Sequence, residues 1–304
     1  HHAAGLASFS RGQACTQSGR WREAFEHYET AVQIFREKVP GANYELAQSQ
    51  RFGVDTLFYA GEFHEVFRRV PEYLRDAKDR GDLQALGDIR AGLPNCSWLV
   101  GDFVERAKEE LRISSEELVG ETFYLQHYYL MLAESHIDFY EGRGERALAR
   151  VDAIWPKLKR ALFLRIQMIR FEGSFVRGRA CLAAAEAATG SERRHLLGRV
   201  VAIAKALDKE LIVGADAAAS LLRAGALRLK GDLDAAVEEF GRAASAFQVG
   251  EMSFGEVLAE RERGRLIGGD AGKELEKRYS AWSARNRIAD PNRFAHILLP
   301  RSLA

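Results

Sequence analysis

The stretch GEFHEV, residues 61–66, closes one apolar helical pattern and opens the next. Outward from Gly61 the same grammar recurs: a glycine, usually a charged residue, an aromatic or leucine, then helix. GRWREA starts at Gly19, GDFVER at Gly101, GRGERA at Gly142 and GDLDAA at Gly231. The spacings are 42, 40, 41 and 89 residues, and the last holds two repeats with a degenerate turn near Gly190. A period in the range of about 20–50 residues marks stacked repeats, each burying its apolar face only against its neighbours.

The runs between these turns read as helices. Residues 21–38 place Trp21, Ala24, Phe25, Tyr28, Ala31, Val32 and Phe35 on one stripe at amphipathic helical spacing. Pro40 and Gly41 close that helix, because proline cannot continue the ladder and glycine accepts a left-handed cap. Further helices are predicted over 43–60 and 63–78. The pairs 82–100 with 103–113, 121–141 with 145–154, 158–188 with 191–207 and 211–230 with 233–247 follow, then 254–266. Gly92 and Pro94 interrupt the run 82–100, and Pro156 is expected to stop or bend the helix that contains it. No useful alternating strand pattern and no Asn-Gly hairpin signal occur. The expectation is an all-α fold: a right-handed superhelical solenoid of about seven hairpins with a period of about 40 over residues 3–280, closed by a C-terminal helical cap, 281–304.

Composition agrees. The chain has 304 residues, 47% of them hydrophobic, and only six prolines. Cys15, Cys96 and Cys181 are widely spaced, without a CxxC pair, which argues against a disulfide framework or zinc site and for a cytoplasmic setting. The most apolar stretch, 123–140, is broken by His127, Glu134, His136 and Asp138, so no membrane span is expected. His1 and His2 read as a tag remnant, and the chain opens almost inside a repeat, as a segment of a longer protein would. Charge is uneven. Residues 1–141 carry 15 basic and 23 acidic side chains, whereas residues 142–200 carry 13 and 5. Such asymmetry suits a polar partner or packing of charged faces.

The glycine–aromatic–alanine grammar resembles the tetratricopeptide repeat, in a long and irregular form. The C-terminus adds Ala281-Trp282, Ile288, Asp290-Pro291, Arg293-Phe294, Ile297-Leu298 and Pro300. These resemble the tail of many large bacterial serine/threonine protein kinases, in which a kinase domain precedes a STAND-type ATPase module and a tetratricopeptide-like array. The resemblance implies a sensor or scaffold region of a signalling protein. Its partner would be a protein or peptide, or the kinase and ATPase domains of the same parent chain. The HRD, DFG and GxxxxGK[ST] motifs of those domains do not occur in this sequence.

In tetratricopeptide repeats the first helix of each hairpin lines a concave groove. Carried onto this chain, the groove positions include Gln48, Arg51 and Asp55, then Asp88, Asn95 and Trp98, then Tyr129 and His136. Arg51 and Asn95 stand where some relatives bind a peptide carboxylate, but Asp55 and Asp88 would repel one, so a basic or polar segment fits at least as well.

Other motifs carry less. GRGERA fits GxGxxA, but helix precedes and follows it, which reads as a repeat turn and not a dinucleotide loop. GDAGKE at Gly269 has Glu274 where a P-loop needs Ser or Thr, and reads as a solvated loop between helices. His127 and His136 are nine residues apart and share no metal at helical spacing. No catalytic residue, metal or cofactor is expected, and the leading expectation is a binding module that is not an enzyme. Two alternatives stand: an enzyme with an unrecognised site, and nucleic-acid or acidic-surface binding through a basic stretch, Lys157, Lys159, Arg160, Arg165, Arg170, Arg177 and Arg179.

Overall fold

The computed structural model describes residues 1–118 and 122–301, and among these residues there are sixteen α-helices, two 3-10 turns and no strand. The chain forms two compact units, His1–Ala133 and Glu134–Ala304, with the boundary inside one helix. The first unit holds α1 (His2–Gln17), α2 (Trp21–Lys38), α3 (Asn43–Ala60), α4 (Phe63–Asp79) and α5 (Leu83–Arg90). A 3-10 turn (Leu93–Asn95), α6 (Cys96–Val100), α7 (Val104–Glu116) and the start of α8 (Leu125–Tyr140) complete it. The second unit continues from α8 into α9 (Gly144–Arg160), a 3-10 turn (Phe163–Arg165), α10 (Gln167–Ala187) and α11 (Gly190–Leu207). It ends with α12 (Ala215–Lys230), α13 (Leu233–Val249), α14 (Ser253–Ile267), α15 (Gly269–Arg285) and α16 (Pro291–Leu298). Consecutive helices pack on one another, α1 through α3 in the first unit and α9 through α15 in the second.

The turn glycines do what the period implies. Gly19, Gly61, Gly142 and Gly231 have φ of 71, 77, 71 and 85°, the left-handed region that lets a helix end and the chain reverse. At the third turn Gly101 is not left-handed, and Asp102 takes that conformation instead, with φ 58°. Six of the seven stripe residues of α2 are buried, and Phe25 is half-buried. Trp21 stacks on Tyr59 of α3 with ring centroids 4.9 Å apart, so one stripe joins two consecutive helices. Val54, Leu57, Val66, Val70, Leu74 and Ile89 extend the core across α3, α4 and α5.

The period reappears as polar contacts. Arg22 reaches Glu62 at 3.2 Å, Arg69 reaches Glu29 at 2.6 Å and Arg36 reaches Asp76 at 2.8 Å, each pair 40 residues apart. Positions 22, 29 and 36 are two helical turns apart along α2, as are 69 and 76 along α4, with Glu62 at the N-cap of α4. The three pairs form a ladder of alternating sign between these helices. The pairs Arg22–Glu62 and Arg36–Asp76 are largely exposed and contribute at most about 1 kcal/mol each, whereas Arg69–Glu29 in the middle is partly buried.

Three expectations need correction. Residues 158–188 are not one helix: Leu162, at φ 61°, and the 3-10 turn after it separate α9 from α10. Pro156 lies inside α9, which continues to Arg160. GDAGKE is not a loop but the first turn of α15, and Gly272 explains it. A Cβ there would lie 2.3 Å from the Gly264 carbonyl oxygen, so the glycine lets α15 rest on the backbone of α14. The expected start of α8 at Glu121 falls outside the described residues.

The C-terminal segment is tied into the second unit. Trp282 of α15 stacks on Phe254 of α14 with centroids 5.0 Å apart and planes 4° from parallel. Phe294 of α16 meets the same ring at 5.2 Å. Tyr279 donates from its hydroxyl to the Pro291 carbonyl at 2.6 Å. Asp290 caps α16, accepting from the amides of Asn292 and Arg293 at 3.0 Å each. The Arg293 guanidinium lies over the Tyr140 ring at 4.3 Å, so α16 reaches back to α8. Among the described residues no helix is long and apolar enough to cross a membrane.

Candidate functional site

Gln48, Arg51 and Asp55 lie three and four residues apart on α3 and therefore share one face. That face meets the end of α5 and the start of α8. Arg51 is buried. Its Nη1 donates to the Asp88 carbonyl at 3.0 Å and its Nε to Asp55 Oδ2 at 3.4 Å, and the guanidinium stacks 3.6 Å from the Tyr129 ring centroid. Gln48 donates to Asp88 Oδ2 at 2.8 Å. The irregular backbone after α5 makes room for this arrangement. Gly92 has φ 67°, its amide donates to the Tyr129 carbonyl at 3.0 Å, and a Cβ there would lie 2.7 Å from Arg51 Nη2.

Burial pushes the carboxyls of Asp55 and Asp88 up from the ordinary range, against the opposing pull of Arg51. Asp55 Oδ1 is buried without a hydrogen-bond partner. Beside Asp88 opens a cleft of about 290 Å³ between α5, the end of α7 and the start of α8. Leu83, Gly87, Asp88, Ser114, Glu117 and Gln126 line it, and Leu83 is 69% exposed. Glu117 accepts from Arg90 at 2.8 Å. The cleft thus offers two carboxylates, amide and hydroxyl groups and one apolar edge.

Five of the eight groove residues read from the sequence converge here: Gln48, Arg51, Asp55, Asp88 and Tyr129. Asn95 and Trp98 do not join them. Asn95 is buried and donates to the carbonyls of Arg90 and Ala107 at 2.8 and 3.2 Å, tying α5 to α7. Trp98 packs against the core of α3 to α5, with Arg106 5.3 Å above its ring.

His136 belongs to the second unit, where it is buried beside Arg179. Arg179 Nη2 donates to His136 Nε2 at 3.3 Å, its Nη1 donates to the Ile297 carbonyl, and its guanidinium lies over Phe175 at 4.5 Å. This arginine clamps α16 to α10. Burial, reinforced by the Arg179 charge, holds the His136 imidazole well below its ordinary value of 6.5. An unfolded chain takes up a proton near that value and the folded chain resists it. Stability conferred by neutral His136 is therefore present above pH 6.5 and falls below it, by up to about 1.4 kcal/mol per pH unit. His296, also lowered by burial, acts in the same sense, whereas Glu134 and Asp138, raised by burial, act in the opposite one. The test is a difference: His136→Gln, which keeps an acceptor for Arg179, should flatten the loss of melting temperature between pH 7.5 and 5.5 relative to wild type. Equal slopes would show that His136 does not carry this limb.

The basic stretch divides. Lys157, Lys159 and Arg160 lie exposed on the last turn of α9, and Arg165 lies exposed on the following 3-10 turn. Arg170 is held by Glu210 at 2.5 and 2.7 Å. Arg177 donates to Asp152 at 3.1 Å and covers Trp155 at 4.8 Å, and Arg179 is the buried clamp just described. Four members face solvent, and three serve packing.

One convergence had no counterpart in the sequence reading. Cys15, Glu23 and His27 bring metal-type donor atoms within 4.8 Å of one another. The i, i+4 spacing of Glu23 and His27 was visible in the sequence, but the approach of Cys15 from α1 was not. Arg20 already compensates Glu23 at 2.8 Å, and the trio supports no metal assignment. The three cysteines are buried, and none of them is in a disulfide among the described residues.

Comparison with protein-family models, curated proteins and solved structures finds no match.

Proposed function

We propose that this chain is a non-enzymatic helical-repeat module whose first unit binds a partner protein segment carrying a lysine or arginine side chain. The observation that carries the reading is the cleft beside Asp88, lined also by Glu117 and edged by exposed Leu83. Two carboxylates in a partly enclosed site favour a cation, and the apolar edge takes the stem of a long basic side chain. A carboxylate ligand loses support because Arg51, its expected receptor, is buried and engaged by Asp55, the Asp88 carbonyl and Tyr129. A tetratricopeptide-like right-handed solenoid of about seven hairpins belongs to the same proposal. So does its place as a cytoplasmic sensor or scaffold of a bacterial signalling kinase or ATPase. Their support is the turn period, the 40-residue contact ladder and the tail motif.

Labelled peptides of matched length, one set rich in lysine and arginine and one rich in aspartate and glutamate, test this by fluorescence anisotropy. Basic peptides should bind, weakening with added salt, and Asp88→Asn/Glu117→Gln should reduce their affinity about tenfold, a loss of roughly 1.4 kcal/mol. Preference for acidic peptides, abolished by neutralising Lys157, Lys159, Arg160 and Arg165, would instead favour acidic-surface binding by the second unit.

A further inference from the structure

Three turns of the second unit come together along one edge. Arg170, at the start of α10, holds Glu210 beyond the end of α11 at 2.5 and 2.7 Å, and it donates to the Leu164 carbonyl in the turn after α9 at 3.0 Å. The next two turns also meet: a Cβ on Gly250 would lie 3.1 Å from the Val213 side chain, and one on Gly214 2.5 Å from that of Met252. The turns α9–α10, α11–α12 and α13–α14 therefore share an edge.

Aliphatic side chains project from all three. Leu162 and Ile166 are exposed in the first turn, Leu211 is 94% exposed in the second, and Val249 is 87% exposed at the third. Neither core nor turn explains Leu162. It holds the left-handed conformation, which glycine or asparagine takes with less strain, and its side chain is largely uncovered.

Cations stand between these tips. Lys157, Lys159, Arg160 and Arg165 flank Leu162, and Lys205 and Lys209 precede Leu211. All six are exposed, and none is in an ion pair among the described residues. Helix dipoles account for cations on the last turns of α9 and α11, but not for the aliphatic tips beside them. Most carboxylates here are engaged: Asp152 by Arg177 and Arg199, Asp208 by Arg223 and Glu210 by Arg170. Asp216 and Glu251 are exposed, and Glu172 of α10 has a partner of its own. Even with these last three set against the six, positive charge is in excess.

We propose that this edge of the second unit rests on an anionic lipid surface. Leu162, Ile166, Leu211 and Val249 enter the headgroup region, and the six cations meet lipid phosphates and carboxylates. Aliphatic tips between lysines and arginines match a layer that is negative at its surface and apolar beneath. The exposed apolar side chains are aliphatic and offer no platform for stacking bases, which disfavours nucleic acid. An acidic protein segment would pair the cations and leave the projecting aliphatic groups unused. Contact of this kind is peripheral and needs no membrane-crossing helix. It does not depend on the first-unit cleft.

Flotation of the whole chain with vesicles tests this, comparing phosphatidylcholine alone with phosphatidylcholine containing about 30% phosphatidylserine, with polyglutamate and duplex DNA as competitors. Retention on the anionic vesicles, lost on the neutral ones and falling with added salt, is expected. Lys159→Gln/Arg165→Gln should weaken retention about 25-fold, at about fivefold per cation. Leu162→Asn/Leu211→Ser, which keeps every charge, should weaken it about tenfold or more. All four positions are exposed, and an unchanged circular dichroism melt shows that each variant is folded. Absence of retention on anionic vesicles, or retention unchanged in the folded leucine variant, would overturn the proposal. Displacement by polyglutamate or DNA at matched negative charge would also overturn it, in favour of an acidic polymer as the partner.

Discussion

Deletion of residues 281–304 should leave the second unit unable to fold cooperatively. The segment carries Trp282, Ile288, Phe294, Ile297, Leu298 and Leu299, all buried. At about 1.5–3 kcal/mol per fully buried large side chain, the loss is on the order of 10 kcal/mol as an upper estimate. That is comparable to the whole stability of a typical domain, about 5–15 kcal/mol. The damage spreads beyond the deleted residues. Phe254 loses the rings of Trp282 and Phe294, and Arg179 loses the Ile297 carbonyl while keeping His136. A melt followed by circular dichroism, with limited proteolysis of the region after residue 134, checks this. An unchanged transition would show that α16 contributes nothing to holding the unit together.

Gly144→Ala should cost about 3 kcal/mol, at the upper end of what overpacking usually costs. A Cβ at this position would meet the Ala183 Cβ at 2.3 Å and the Ala183 carbonyl carbon at 2.9 Å. No flexible side chain is available to yield, so α9 and α10 must part. Gly198→Ala supplies the contrast. This exposed glycine of α11 has nothing within 4 Å of an added Cβ, and the change should raise stability by roughly 0.5–1 kcal/mol through helix propensity and the unfolded chain. Urea denaturation separates the two outcomes. A neutral Gly144→Ala would mean that the close approach of these helices is not fixed.

Gly144 also shows what the sequence made legible. The pattern GRGERA disclosed a turn because Gly142 needs the left-handed region, a local requirement. The need for the second glycine comes from Ala183, 39 residues away, and no local pattern carries it. Helix limits follow the same division. Residues 21–38 and 43–60 could be read to the residue because Pro40 and Gly41 punctuate them. The break after α9 could not, because Leu162 takes the left-handed conformation without a glycine or proline to announce it. At the candidate site, Gln48, Arg51 and Asp55 came from the tetratricopeptide resemblance, and helical spacing then puts the three on one face of α3. Asn95 and Trp98 were misplaced beside it because the backbone after α5 turns at Gly92 and points them toward α7 and the core.

The ladder between α2 and α4 bears on how such an array can diversify. Opposite charges meet at positions separated by one whole period: Arg22 with Glu62, Glu29 with Arg69 and Arg36 with Asp76. A tandem copy of one repeat would put arginine before arginine and glutamate before glutamate at those places. Newly duplicated segments would then repel along their whole contact, by some tenths of a kcal/mol for each like pair. Over three pairs that is on the order of 1 kcal/mol, which favours divergence of adjacent copies, and a consensus obtained by averaging the repeats would erase the polarity that pairs them. An engineer extending this chain would need two alternating cassettes, complementary in charge, instead of one.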